Sequence, residues 1–115
     1  MKPFWIPLLL LYPAASGCAA SPQAEPAWVD AKIKQLQKGP PGNPPLSLWR
    51  YEYLGRIVYY LPPQCCDQYS ALYDAKQNRI CAPDGGMAGN GDGRCPDFYQ
   101  KRSAQKLLWQ DKRAR

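Results

Sequence analysis

Four cysteines, Cys65, Cys66, Cys81 and Cys95, constrain what this chain can fold into more than any other feature. An even set in a short exported chain reads as a disulfide framework, and four cysteines allow three connectivities. Neighbouring Cα atoms are about 3.8 Å apart, below the roughly 4.4 to 6.8 Å that a disulfide prefers, so a Cys65 to Cys66 ring is disfavoured. The options left join Cys65 and Cys66 to Cys81 and Cys95, one each. If the Cys-Cys segment is extended, its two side chains point to opposite faces. The bridges then pin strand material on one side and a Gly-rich loop on the other. Each closes roughly 15 to 30 residues and contributes about 3 kcal/mol in the loop-entropy account. That is a large share of a small domain's stability.

The export premise comes from the N-terminus. Lys2, the apolar run from Phe4 to Tyr12 and the small residues Ala15-Ser16-Gly17 read as a secretory signal peptide over residues 1–17, too short for a membrane span. Pro3, Pro7 and Pro13 interrupt it. The cysteine that follows, in Ala15-Ser16-Gly17-Cys18, resembles the lipobox of bacterial lipoproteins, although Ala15 stands where that pattern most often has Leu. The resemblance implies that Cys18 is acylated, that it becomes the new N-terminus and that the lipid holds the protein to a membrane. Ala19 after it, rather than Asp, is similar to lipoproteins passed to the outer membrane. Ordinary cleavage near Gly17 or Ala20 is the alternative. Lipidation of Cys18 accounts for the odd total of five cysteines and leaves four to pair.

Residues 18–115 suffice for one domain with a modest core. Residues 18–27, with Pro22 and Pro26 among small and polar residues, have linker chemistry and form the tether. The domain is expected over 28–111, with a basic tail at 112–115. Charge is concentrated late. Residues 101–115 hold Lys101, Arg102, Lys106, Lys112, Arg113 and Arg115 against Asp111 alone, whereas residues 18–100 balance. Such a stripe suits an envelope protein, anionic lipid or lipopolysaccharide as partner, or else a solvated face with cations at a helix C-terminus. Export argues against nucleic acid.

Within the domain, Trp28, Val29, Ile33 and Leu36 share a helical face, Asp30 and Lys34 form an i,i+4 pair, and Gly39 supplies the stop. Pro40, Pro41, Pro44 and Pro45 enforce an extended connector. Residues 48–53 and 56–61 are rich in aromatic and β-branched residues and flank Leu54-Gly55, which predicts a hairpin with a tight or a bulged turn. Trp49, Tyr51 and Tyr53 alternate on the face expected to be core. A second hairpin is expected from 69–74 and 79–82 around Ala75-Lys76-Gln77-Asn78. Phe98, Arg102, Leu107, Leu108 and Trp109 predict a basic amphipathic helix over 98–112. The expected fold is α+β: a four-stranded antiparallel meander with an N-terminal and a C-terminal helix on one sheet face, stabilised by disulfides.

The succession Tyr51-Glu52-Tyr53-Leu54-Gly55-Arg56, Cys65-Cys66-Asp67-Gln68, Leu72-Tyr73-Asp74, Ile80-Cys81-Ala82-Pro83-Asp84-Gly85-Gly86 and Gly91-Asp92-Gly93-Arg94-Cys95-Pro96-Asp97-Phe98 resembles a family of small exported bacterial proteins classed only as a domain of unknown function. The resemblance covers roughly residues 28–110. It implies export and a shared disulfide-bearing fold, and it brings no activity.

The chain contains no His, which removes Ser-His, Cys-His and His-metal chemistry. No phosphate loop or dinucleotide motif is present. The expectation is a non-enzymatic binding or structural module of the cell envelope without a cofactor, engaging a partner through exposed aromatics, Tyr59 and Tyr60, or through the Gly-rich loop. The alternative is a small metal or redox protein. Asp84, Asn90, Asp92 and Asp97 carry oxygen ligands suited to Ca²⁺, although their spacing is not that of an EF-hand, and Cys65-Cys66 carries thiolates suited to a soft ion.

Overall fold

The computed structural model describes residue 3, residues 25–65 and residues 67–113. Apart from residue 3, the expected signal segment lies outside the described residues, as do Cys18, the tether up to residue 24, Cys66 and Arg115. The elements run α1 (Ala27–Lys38), β1 (Ser47–Tyr53), β2 (Arg56–Leu61), β3 (Ala71–Tyr73), β4 (Arg79–Cys81), α2 (Phe98–Lys101) and β5 (Ser103–Gln110). All five strands form one antiparallel sheet in the order β4-β3-β2-β1-β5.

The aromatic alternation in β1 and β2 sets the register. Tyr51 lies opposite Val58 and Trp49 opposite Tyr60, so these residues share one face, while Leu48, Ile57 and Tyr59 project to the other. The connection is tight: Tyr53 pairs with Arg56, and both turn residues have positive φ, 51° at Leu54 and 81° at Gly55. Positive φ at both central positions matches the right-handed twist of the strands. Leucine pays for it in strain. Leu54 is also 61% exposed. Leu54→Asn is therefore expected to raise stability by about 0.5–1 kcal/mol, read as an upward shift of the urea midpoint at constant slope. In the second hairpin, the Asp74 carboxylate accepts the amides of Lys76 and Asn78 at 2.8 and 2.9 Å and holds Gln77 at φ 69°.

Both sheet faces are covered. On one, Tyr51, Tyr53, Val58, Tyr60, Leu72, Cys81, Cys95 and Phe98 form a buried cluster; on the other, Val29 of α1 packs with Leu48 and Tyr59 beneath Trp28, Ile33 and Leu61. The two helices thus lie on opposite faces, not on one. Trp28 ties α1 down, its ring 5.1 Å from that of Tyr59 and its indole N–H donating to the Ala75 carbonyl at 2.8 Å.

The expected C-terminal helix is corrected more strongly. Only Phe98–Lys101 is helical; residues 103–110 form β5 beside β1, making a fifth strand. Ala, Gln, Lys and Leu in this segment favour a helix. The other edge of β1 outweighs that preference, because a strand there satisfies a row of backbone donors and acceptors and brings Leu108 onto the α1-side cluster. The basic tail is likewise partly structural. Arg113 donates to Asp111 and to the carbonyls of Leu36, Gln37 and Gly39, capping the C-terminus of α1 where Gly39 is extended rather than left-handed.

Candidate functional site

The Gly-rich segment between β4 and α2 is held at both ends by a Cys81–Cys95 disulfide, Cα atoms 6.2 Å apart, with both cysteines buried in the core cluster. This corrects the expected connectivity, in which each partnered Cys65 or Cys66. The reason is geometric: β4 ends at Cys81, and the loop returns over the same sheet face to place Cys95 beside Phe98. Cys65 is itself disulfide-bonded. Disulfides suit an oxidising, exported setting. Among the described residues, no helix is long and apolar enough to cross a membrane.

Between its ends the loop is fixed by main-chain contacts. Gly86 N–H donates to the Gln68 carbonyl, Gly91 N–H to the Gly85 carbonyl and Asp92 N–H to the Ala82 carbonyl, each at 3.0 Å. The Ser70 hydroxyl donates to the Asp84 carbonyl and accepts the Asp84 amide. Gly91 has no substitute: its φ is 67°, and a Cβ there would meet the Ala82 carbonyl oxygen. Gly85, at φ 85°, packs as closely on the Gln68 carbonyl.

Of the four residues expected to bind Ca²⁺, the three aspartates accept hydrogen bonds within the protein. Both oxygens of Asp84 accept tyrosine hydroxyls, Tyr60 at 2.7 Å and Tyr99 at 2.6 Å, which fastens the loop to the sheet and to α2. Asp92 accepts the Ala82 and Arg94 amides; burial acts to raise its carboxyl pKa and is outweighed by these donors, so the group sits below its ordinary range. Asp97 accepts the Tyr53 hydroxyl at 2.5 Å, which lowers its pKa, and pairs with Lys101 at 3.5 Å. Asn90 forms a backbone bridge with Gly85. Among the described residues no three His, Cys, Asp or Glu are grouped to hold a metal ion.

Tyr59 and Tyr60 are not exposed. They are core residues, 2% and 6% accessible, and their hydroxyls are committed to Glu25 and to Asp84. The strand alternation of this hairpin buries aromatic residues on both faces, since both are covered. Glu25 also accepts Arg50 at 2.6 Å, so the end of the tether is clamped to the sheet.

Burial raises the tyrosine pKa values, and neighbouring carboxylates raise them further: Tyr53 to about 12, with Tyr59 and Tyr60 also pushed well up. A raised folded-state pKa gives stability that is complete below the unfolded value near 10 and is lost as pH climbs past it. Tyrosinate absorbance is expected to lag in the native protein above about pH 10 and to rise abruptly with alkaline unfolding. In urea all tyrosines are expected to titrate together.

The loop presents outward a large apolar side chain beside the exposed polar residues Asn90, Asp92 and Arg94. Met87 is 92% exposed at its tip and Tyr69 is 55% exposed beside it. Together with Asp67, Gly85, Gly86, Ala88 and Gly91 they line a cleft of about 460 Å³. The sequence reading singled out the loop but missed these two side chains. Met87 had a signal: it is the one large apolar residue in a run of Gly, Ala, Asn and Asp, with no apolar partner at strand or helix spacing. Of the expected basic stripe, Lys101 is paired, Arg102 stacks 4.4 Å from the Tyr99 ring centroid, and Arg113 caps α1.

Residues 34–111 match a family described as a domain of unknown function, DUF6970. No curated protein and no solved structure matches the chain.

Proposed function

The chain belongs to the DUF6970 family, which carries no assigned activity, and on that premise we propose that it is a lipid-anchored, non-enzymatic binding module of the bacterial envelope. Its clamped loop is the surface that engages a protein partner. The observation that carries this reading is Met87, almost fully exposed on a loop whose backbone is fixed by a disulfide, by glycines in left-handed conformation and by the Asp84 tyrosine pair. An apolar side chain on a preformed support loses little conformational entropy when a partner covers it. Thioether side chains also adapt to varied apolar surfaces. Anchoring rests on Cys18 and on the signal segment before it. The disulfide-bonded Cys65 and the committed carboxylates of the loop weigh against the metal and redox alternative.

A photo-crosslinking residue at position 87 is expected to yield one discrete adduct in intact cells, and the same residue at exposed Lys76 none. Equal labelling at both positions, or none at 87, overturns the loop assignment. Intact mass of the mature protein tests the anchor separately. A chain beginning at Cys18 and carrying acyl mass is expected; an unmodified chain refutes it.

A further inference from the structure

We propose that the outer edge of β5 is a second docking site, which takes an extended acidic segment of a partner polypeptide as a sixth strand. The proposal goes beyond the loop reading and does not depend on it. Among the described residues, in the order β4-β3-β2-β1-β5, the strand pairs with β1 on one side only, and its eight residues are far longer than the three of β4 at the opposite edge. Ser103, Ala104, Gln105, Lys106 and Leu107 are all exposed, Leu107 at 42%. Such an edge offers a row of main-chain donors and acceptors to another chain.

Two further observations define the occupant. Clefts lie at both ends of the strand: one of about 440 Å³ includes Ser103, Lys101 and Arg56 together with Glu52, and one of about 550 Å³ includes Trp109, Gln110 and Lys112 together with the Asp111–Arg113 pair. They bracket a length of roughly 26 Å, the span of about eight extended residues. Charge gives the sign. From Phe98 to Gln110 the sequence has Lys101, Arg102 and Lys106 and no acid; Lys101 pairs with Asp97, Arg102 stacks on Tyr99 and Asp111 is held by Arg113, which leaves Lys106 as the exposed cation on the strand. Acidic side chains alternating along the incoming strand would meet Lys106 between the strand ends and Lys112 in the cleft beyond Gln110. A second copy is the poorer occupant, because its own β5 edge carries the cation Lys106 and no acid between Ser103 and Gln110.

The probe is a capped octapeptide of alternating Val and Glu, titrated into the purified domain while amide exchange of β5 is followed by NMR. Expected are slowed exchange of β5 amides, an affinity that falls with added salt, and weakening of roughly threefold or more in Lys106→Glu. Lys106→Glu leaves the β1–β5 pairing intact, which its unchanged amide spectrum elsewhere would report. A Val and Lys octapeptide is expected not to bind. The proposal is overturned if β5 exchange is unaffected at millimolar peptide, or if the Val and Lys peptide binds equally well. Protection of β5 by anionic phospholipid vesicles but not by the peptide would also overturn it, as would a homodimer joined through this edge.

Discussion

Phe98→Ala is expected to cost about 3–5 kcal/mol, enough to leave a domain of this size largely unfolded. Phe98 is fully buried, and its ring lies 5.3 to 5.6 Å from those of Tyr51, Tyr53, Tyr60 and Tyr99. Truncation opens a cavity at the junction of loop, short helix and sheet, and the tyrosines cannot collapse into it. Their hydroxyls are tied to Asp84, Asp97 and Gln105. Phe98→Leu keeps most of the volume and is expected to lose under about 1.5 kcal/mol. Urea midpoints of the two variants measure the difference. Equal small losses would mean that Phe98 is not the centre of this core.

Opening the Cys81–Cys95 bridge, by reduction or by Cys81→Ser with Cys95→Ser, is expected to cost about 3 kcal/mol for a loop of this length. The loss has a local character that the Phe98 change lacks. The sheet keeps its tyrosine and α1 contacts, while the loop keeps only Asp84, Asp92 and its main-chain bonds. Position 87 should then become susceptible to proteolysis before the strands unfold. A thermal scan paired with limited proteolysis separates the two effects.

Both hairpins were legible in the sequence because their signals are local: aromatic alternation for β1 and β2, and Asp74 with Asn78 for the second turn. Helix α1 was legible from its apolar spacing. Glycines at the density of the 84–93 loop announce left-handed backbone, and Gly85, Gly86, Gly89, Gly91 and Gly93 adopt it. Three things escaped. Residues 103–110 carry helix-forming side chains, and only the unpaired edge of β1, a tertiary fact, makes them a strand. The Cys81–Cys95 pairing depends on where the loop returns, which cysteine spacing does not encode. Tyr59 and Tyr60 were expected as exposed aromatics; they alternate onto opposite faces of β2, and α1 and the loop cover one face each. Asp84 and Asp97 accept tyrosine hydroxyls and Asp92 accepts the loop's own amides, partners that residue spacing does not encode.

The account depends on the loop being set before any partner arrives. Amide hydrogen exchange of the oxidised protein, read at Gly86, Gly89, Gly91, Asp92 and Arg94, tests this directly, since each of these amides donates a hydrogen bond. Slow exchange at these five positions is expected in the oxidised protein, with protection falling on reduction while β1 and β2 stay protected. Exchange at the rate of an unstructured chain in the oxidised, partner-free protein would contradict a preformed platform.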